Sequence, residues 1–206
     1  MYKIGLTGGI CTGKSYILQI FKELDCYTER ADDIAKSIIF SNNSEVLKDI
    51  IQVFGQEIYD EKVGLKKEEF TRILFEDPEK RTFINNLVHP MVKKERDNLM
   101  KSLEESKIYD FFIYESALLV ESGTYKDFDK NIVVYTTAEE QINRLMNRDG
   151  VSRSDAEAKI KAQFPLSEKL KVANYTIDTT GSFENAKAKT LETFHLMKKD
   201  LKVLGA

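Results

Sequence analysis

Only two cysteines, Cys11 and Cys26, and two histidines, His89 and His195, occur among 206 residues. Two thiols are too few for a disulfide framework, and none of the four residues has the spacing of a structural zinc site. Only three prolines occur, and neither an internal repeat nor a low-complexity segment is visible, which leaves an ordinary globular composition. No basic block stands out against a net charge of −3, which removes the electrostatic case for nucleic acid or an anionic membrane as main partner. The most apolar stretch, FFIYESALLV, carries Glu115 and falls far short of the roughly 20 residues of a membrane helix. The opening MYKIGLTGG leaves no room for a charged leader and an apolar signal core, so a cytoplasmic protein is expected. The length suits one folding unit with excursions, and no exposed heptad seam points beyond a monomer or small homo-oligomer.

What is present is an alternation of short apolar runs with longer helical patterns, the mark of an α/β protein whose mostly parallel sheet carries helices on its faces. Strands are expected at KIGLT (3–7), CYTE (26–29), YDFFIYE (109–115), NIVVYT (131–136) and NYTID (174–178). The insertion between the second and third reads as helical throughout. Val46, Leu47, Ile50, Ile51 and Phe54 share one helix face ending at Gly55; Asp77 and Pro78 suit the start of another helix, with Phe83, Ile84, Leu87, Val88 and Met91 as its stripe. Pro90 is expected to kink that helix or break it after His89. Thr137 and Glu140 form a capping box, Ser152 starts a further helix, and the last helix turns Phe194 and Met197 inward, with Lys198 and Lys199 complementing its C-terminal dipole.

LTGGICTGKSYI, residues 6–17, carries GxxxxGK[ST] at Gly8, Gly13, Lys14 and Ser15 between an expected strand and an expected helix. Glycines allow the backbone to wrap a polyphosphate, lysine reaches the β and γ phosphates, and the serine hydroxyl ligates Mg²⁺. Cys11 is either a thiol activated by the loop amides or a small buried filler. Asp32 and Asp33 follow the second strand, where a carboxylate could orient or deprotonate an acceptor hydroxyl, or simply form a solvated first helical turn. Glu115 ends the third strand, either near a metal or as an ordinary surface residue, and Glu121 follows ALLV. His89 reads as a packing residue beside an apolar stripe. Arg144 and Arg148, one turn apart, form either the arm of a lid over phosphates or a solvated face.

In this order, these pieces resemble the dephospho-coenzyme A kinase family over nearly the whole chain. KIGLTGGICTGKS resembles that family's GLTGGIGSGKS, with Cys11 at a usual glycine and Tyr16 at a usual threonine. RADDIA is similar to its DADxIA, with Arg30 in place of the first aspartate; HP matches at His89 and Pro90. ESALLVESG resembles DxPLLFEsg, with Glu115 for the acid and Ala117 for the proline, and ANYTIDTTG resembles ADYVIDNxG, with Asn174 and Thr179 substituted. The resemblance implies a P-loop nucleotide-kinase-like three-layer αβα fold with a parallel five-stranded sheet, a helical substrate-binding insertion and a helical lid. It divides the chain into core (1–40), dephospho-CoA-binding insertion (41–104), core (105–145), lid (146–171) and C-terminal core (172–206). It implies transfer of the γ-phosphoryl of ATP to the ribose 3′-hydroxyl of dephospho-CoA, with Asp32, Lys14, Arg144 and Arg148 catalytic. Gly8, Gly9, Cys11, Thr12, Gly13, Lys14, Ser15 and Tyr16 would hold ATP, and His89, Leu118, Leu119 and Glu121 the acceptor. Ser15 would ligate Mg²⁺, with Glu115 as a second candidate ligand. Another small-molecule kinase and an ATP-binding regulator without turnover are the competing readings; the chain lacks the NKxD segment that a GTPase uses to read guanine.

Overall fold

The computed structural model describes residues 1–41 and 45–204. The chain divides into two compact units, Met1–Arg30 with Ser106–Ala206 and Ala31–Glu105. The first opens with β1 (Tyr2–Gly8), α1 (Lys14–Glu23) and β2 (Tyr27–Arg30). The second contains α2 (Ala31–Phe40), α3 (Leu47–Phe54), β3 (Tyr59–Asp60), β4 (Gly64–Leu65), α4 (Lys67–Glu76) and α5 (Pro78–Ser106). The first resumes with β5 (Phe111–Glu115), β6 (Lys130–Tyr135), α6 (Ala138–Asp149), α7 (Arg153–Lys161), α8 (Leu166–Leu170), β7 (Tyr175–Asp178) and α9 (Phe183–Leu204).

All five strands of the first unit are parallel, in the order β2-β5-β1-β6-β7. The onward connections of the neighbours β1 and β5 leave toward opposite edges, so their carboxyl ends flank the crevice where open α/β sheets bind ligands. Alternate residues explain why these strands read as continuous apolar runs. Ile4, Leu6, Phe111, Ile113, Ile132, Val134 and Ile177 pack with Ile17, Ile20 and Phe21 of α1 and with Ala186 and Met197 of α9. On the opposite sheet face Tyr27, Phe112, Tyr114 and Phe128 form a ladder of stacked rings with centroids 5.5 to 6.3 Å apart. Both sheet faces are therefore covered, as a parallel sheet requires. Cys26 belongs to the first cluster, where burial pushes its thiol up to about 12.

On α9 the buried positions Ala186, Thr190, Thr193 and Met197 follow helical spacing. The threonines are tolerated because their hydroxyls donate to the carbonyls of Ala186 and Lys189, one turn back. This helix runs on to Leu204, so Lys202, rather than the expected Lys198 and Lys199, lies in the last turn.

The second unit is not helical throughout: β3 and β4 pair antiparallel around a turn in which Asp60 Oδ1 accepts from the amides of Lys62 and Val63. Two-residue strands leave too little alternation to be read from sequence. The rings of Phe54 and Phe40 meet Phe70 at 4.9 and 5.8 Å in its core. Asp77 caps α5 as expected, accepting from the amides of Glu79 and Lys80. Of the two outcomes expected at Pro90, a break after His89 does not occur. Instead α5 continues through Pro90 for 29 residues, with Ile84, Val88, Val92 and Met100 buried along it. Proline removes one helical hydrogen bond there, and the buried stripe continuing past it carries the helix across.

Phe21 is fully buried and meets Phe194 edge to face. Phe21→Ala is expected to cost about 3–5 kcal/mol, read as a lower urea midpoint at unchanged slope, with Phe21→Leu costing less; an unaltered midpoint in the alanine variant would remove this ring from the core.

Candidate active site

β1 ends where its backbone meets β6. A Cβ on Gly8 would lie 2.2 Å from the Val134 carbonyl oxygen, so no other residue fits there. The chain then turns through Gly9–Gly13 into α1, with Gly13 at φ 88°. Inside the loop, Thr12 Oγ1 donates to the Gly9 carbonyl at 2.9 Å, and Lys14 Nζ donates to the carbonyls of Gly8 and Gly9 at 3.1 and 2.9 Å. The amides of Tyr16 and Ile17 donate to the Gly13 carbonyl as α1 begins, and this end of the helix carries its positive dipole, an arrangement suited to polyphosphate. Ser15 stands exposed in that first turn. The Tyr16 ring packs edge to face on Phe183 at 4.9 Å, tying the helix start to the head of α9.

Cys11 adopts φ 57°, the left-handed region that favours glycine and costs another L-residue roughly 1–2 kcal/mol. Its side chain packs with Ile10 against Ile142, Leu145 and Ala156 of α6 and α7. Burial pushes its thiol up, against the opposing pull of the nearby Arg148, Lys14 and Arg144 charges. Cys11 thus packs as a half-buried apolar filler, and its burial works against an activated thiol.

Arg144 and Arg148 have different surroundings. Arg144 donates to the Thr179 hydroxyl (3.1 Å), the Thr179 carbonyl (2.6 Å) and Glu140 (2.7 Å). Thr179 Oγ1 in turn lies 2.8 Å from the Thr12 carbonyl oxygen and 3.1 Å from that of Tyr135. A single hydroxyl thus joins the phosphate loop, the end of β6 and the guanidinium. Thr137 caps α6 by accepting from the Glu140 amide. The Glu140 carboxylate, however, accepts from the Thr136 hydroxyl, the Gly181 amide and Arg144, which hold its carboxyl below the usual carboxylate range. Arg148 instead pairs with Asp149, which also accepts from Lys159 of α7, and these partners hold Asp149 at about 2. Arg153, one residue into α7, grips both oxygens of Glu139 at 2.8 Å.

Glu115 is not a surface residue: it is 5% exposed, and Arg30 Nε, its register partner on β2, donates to Oε2 at 3.1 Å. Glu121 accepts from Lys169 Nζ through both oxygens, at 2.7 and 2.9 Å, and from the Phe164 amide. Lys169 is fully buried and also donates to the Ala117 carbonyl. Leu118 is exposed, whereas Leu119 is fully buried beside Gly5 and offers no surface to an acceptor. In the second unit Asp32 and Asp33 stand exposed in the first turn of α2, and His89 is exposed on α5 rather than packed. Sequence reasoning missed Thr179 and Lys169 as organising residues. Thr179 stood out only as a departure from the resembled motif, and Lys169 left no local signal.

Among the described residues no cluster of three or more His, Cys, Asp or Glu side chains could hold a metal by itself. A cation that keeps its waters and binds mainly through phosphate oxygens needs few protein donors, and the exposed Ser15 hydroxyl at the start of α1 is an oxygen ligand of the kind that suits Mg²⁺.

A family model described as dephospho-CoA kinase matches residues 2–185. The chain is 36% identical over 200 residues to the dephospho-CoA kinase of Aquifex aeolicus, covering 97% of this chain and 100% of that one. The solved dephospho-CoA kinase from Campylobacter jejuni superposes with a TM-score of 0.73 at 28% identity, covering 96% of this chain and 98% of that one. Shikimate kinase from Acinetobacter baumannii, at 15% identity, TM-score 0.51 and coverage of 97% and 94%, shares the fold alone. With the phosphate loop, the sheet order and a family match over most of its length, the chain belongs to the dephospho-CoA kinase family.

Proposed function

We infer that the chain transfers the γ-phosphoryl group of ATP to the ribose 3′-hydroxyl of dephospho-CoA, giving coenzyme A and ADP in the final step of coenzyme A synthesis. The observation that carries this is the unbroken family match over residues 2–185, which includes the phosphate loop, Asp32, His89, Arg144 and Thr179.

The loop amides and Lys14 hold the β and γ phosphates, Lys14 exchanging two neutral carbonyl acceptors for an anion. Arg144, oriented by Glu140 and Thr179, neutralises charge on the phosphoryl group in flight, and Arg148 adds a second positive charge beside Cys11. Asp32, two residues beyond the end of β2, accepts the proton of the 3′-hydroxyl as the new O–P bond forms and the bond to ADP breaks. His89 and Leu118, both exposed, are the residues that the family resemblance assigns to the acceptor; Glu121 acts at one remove by holding Lys169. Ser15 would ligate Mg²⁺ through its hydroxyl, and Glu115, whose Oε2 accepts from Arg30, would add negative charge close to the ion. When bound, the metal neutralises charge on the β and γ phosphates. No helix among the described residues is long and apolar enough to cross a membrane, and the two thiols suit a reducing cytoplasm.

Incubation with Mg-ATP and dephospho-CoA is expected to yield ADP and a product 80 Da heavier than dephospho-CoA, about the mass of one added phosphoryl group. ATP binding without that product at saturating acceptor would favour the regulator reading. Asp32→Asn is expected to lower kcat by about 10²–10⁴-fold with little change in ATP affinity; unaltered turnover removes Asp32 from proton transfer. Because burial raises its thiol, Cys11 should react with iodoacetamide more slowly than a free cysteine at neutral pH, and faster as pH rises toward its pKa. Saturating ATP should slow that reaction further, and an alkylation rate indifferent to ATP would separate the loop from the nucleotide.

A further inference from the structure

The Ile10 backbone, in the phosphate loop, is tied through both its amide and its carbonyl to side chains of α6 and the segment after α7. Its amide donates to Gln163 Oε1 at 2.8 Å, and its carbonyl accepts from Gln141 Nε2 at 2.7 Å. Gln141 lies on α6, and Gln163 follows α7. The Ile10 side chain packs into the same cluster as Ile160, one turn before Gln163. Gly9 permits the approach, since a Cβ there would come within 2.6 Å of Gln141 Nε2.

We propose that Gln163 and Gln141 are positioning residues that hold the phosphate loop in its nucleotide-binding shape and couple that shape to the lid. Neighbouring Cys11 needs a left-handed backbone that its side chain disfavours, so the loop requires outside support to keep this form. Two hydrogen bonds to the Ile10 backbone, one on each of its flanking peptide groups, supply it before nucleotide arrives, which lowers the entropy lost on binding. The space between the glutamines, lined also by Thr136 and Phe164, is a cavity of about 50 Å³, room for water and too small for a nucleobase. The pair therefore acts on the loop, with no ligand of its own. The polarity is defined: an acceptor is needed at 163 and a donor at 141. Glutamine at both positions meets these needs without placing a carboxylate beside a triphosphate.

This inference rests on the phosphate loop binding ATP, so the test begins with wild-type protein and the dissociation constant of Mg-ATP; absence of binding there overturns the function proposed above. Given binding, Gln163→Met keeps the side-chain length and loses the acceptor. It is expected to weaken ATP affinity roughly three- to tenfold and to speed hydrogen exchange at the Ile10 amide, while the KM for dephospho-CoA stays near wild type. Gln163→Glu and Gln141→Glu make the same charge change close to the same residue, but only the first retains its hydrogen bond. Ile10 amide protection is therefore expected to survive in Gln163→Glu, and the loss of ATP affinity to be larger in Gln141→Glu. Equal behaviour of the two glutamate variants, or wild-type affinity and exchange in Gln163→Met, would overturn the clamp. If the methionine variant fails to fold, the comparison of the two glutamate variants decides.

Discussion

The close contact between Gly8 and the Val134 carbonyl oxygen, with no space for even one carbon, is the constraint on which the active site is built. It fixes the height at which β1 leaves the sheet between β5 and β6, and so the point from which the loop must turn. Everything downstream inherits that position: the start of α1, the aim of its dipole and the placement of Lys14. A methyl group at Gly8 would have to move a β6 carbonyl, which is backbone in the centre of a fully covered sheet. Packing in such interiors is too dense to yield cheaply. The core and the site are thus one object at this point.

From there the first unit spreads its control through polar contacts that are short in space and long in sequence. Thr179 Oγ1 has one proton and two carbonyl oxygens within reach, Thr12 and Tyr135, while accepting from Arg144. A single small residue at the end of β7 therefore registers the phosphate loop against β6 and orients the guanidinium. Lys169 does comparable work on α8, joining that helix to the segment after β5 through Glu121 and Ala117. A fully buried lysine is tolerated only when it is paired and its donors are occupied, and three short contacts meet that condition.

This pattern explains what could be read from the sequence. The strands were legible because both sheet faces are covered, so the runs FFIY and IVVY show no polar alternation. The phosphate loop was legible because four residue types are fixed within eight consecutive positions, Gly8 to Ser15. The β3–β4 hairpin was not, since two-residue strands carry no periodicity, and the passage of α5 through Pro90 depends on packing that local sequence does not encode. Glu121 and Lys169 lie 48 positions apart, and Arg144 and Thr179 lie 35 apart. A single sequence offers no signal that joins such residues. Glu140 misled for another reason: half of its capping box forms, and its carboxylate is drawn away by Thr136, Gly181 and Arg144.

Arg30 shows how a departure from the family's usual residue changes the electrostatics of the site. Its register partner across the β2–β5 ladder is Glu115. An aspartate at position 30 would set two carboxylates side by side on adjacent strands, one of them buried, which disfavours ionisation of at least one. Arginine turns that repulsion into an ion pair at 3.1 Å and changes the local charge by two units at the carboxyl end of the sheet, from which the phosphate loop also departs. A positive shift at this end favours a polyanionic nucleotide. It also occupies an oxygen of Glu115 that could otherwise face a cation. The exchange replaces like-charge repulsion beside a buried carboxylate with an ion pair, and it turns the carboxyl end of the sheet toward anions.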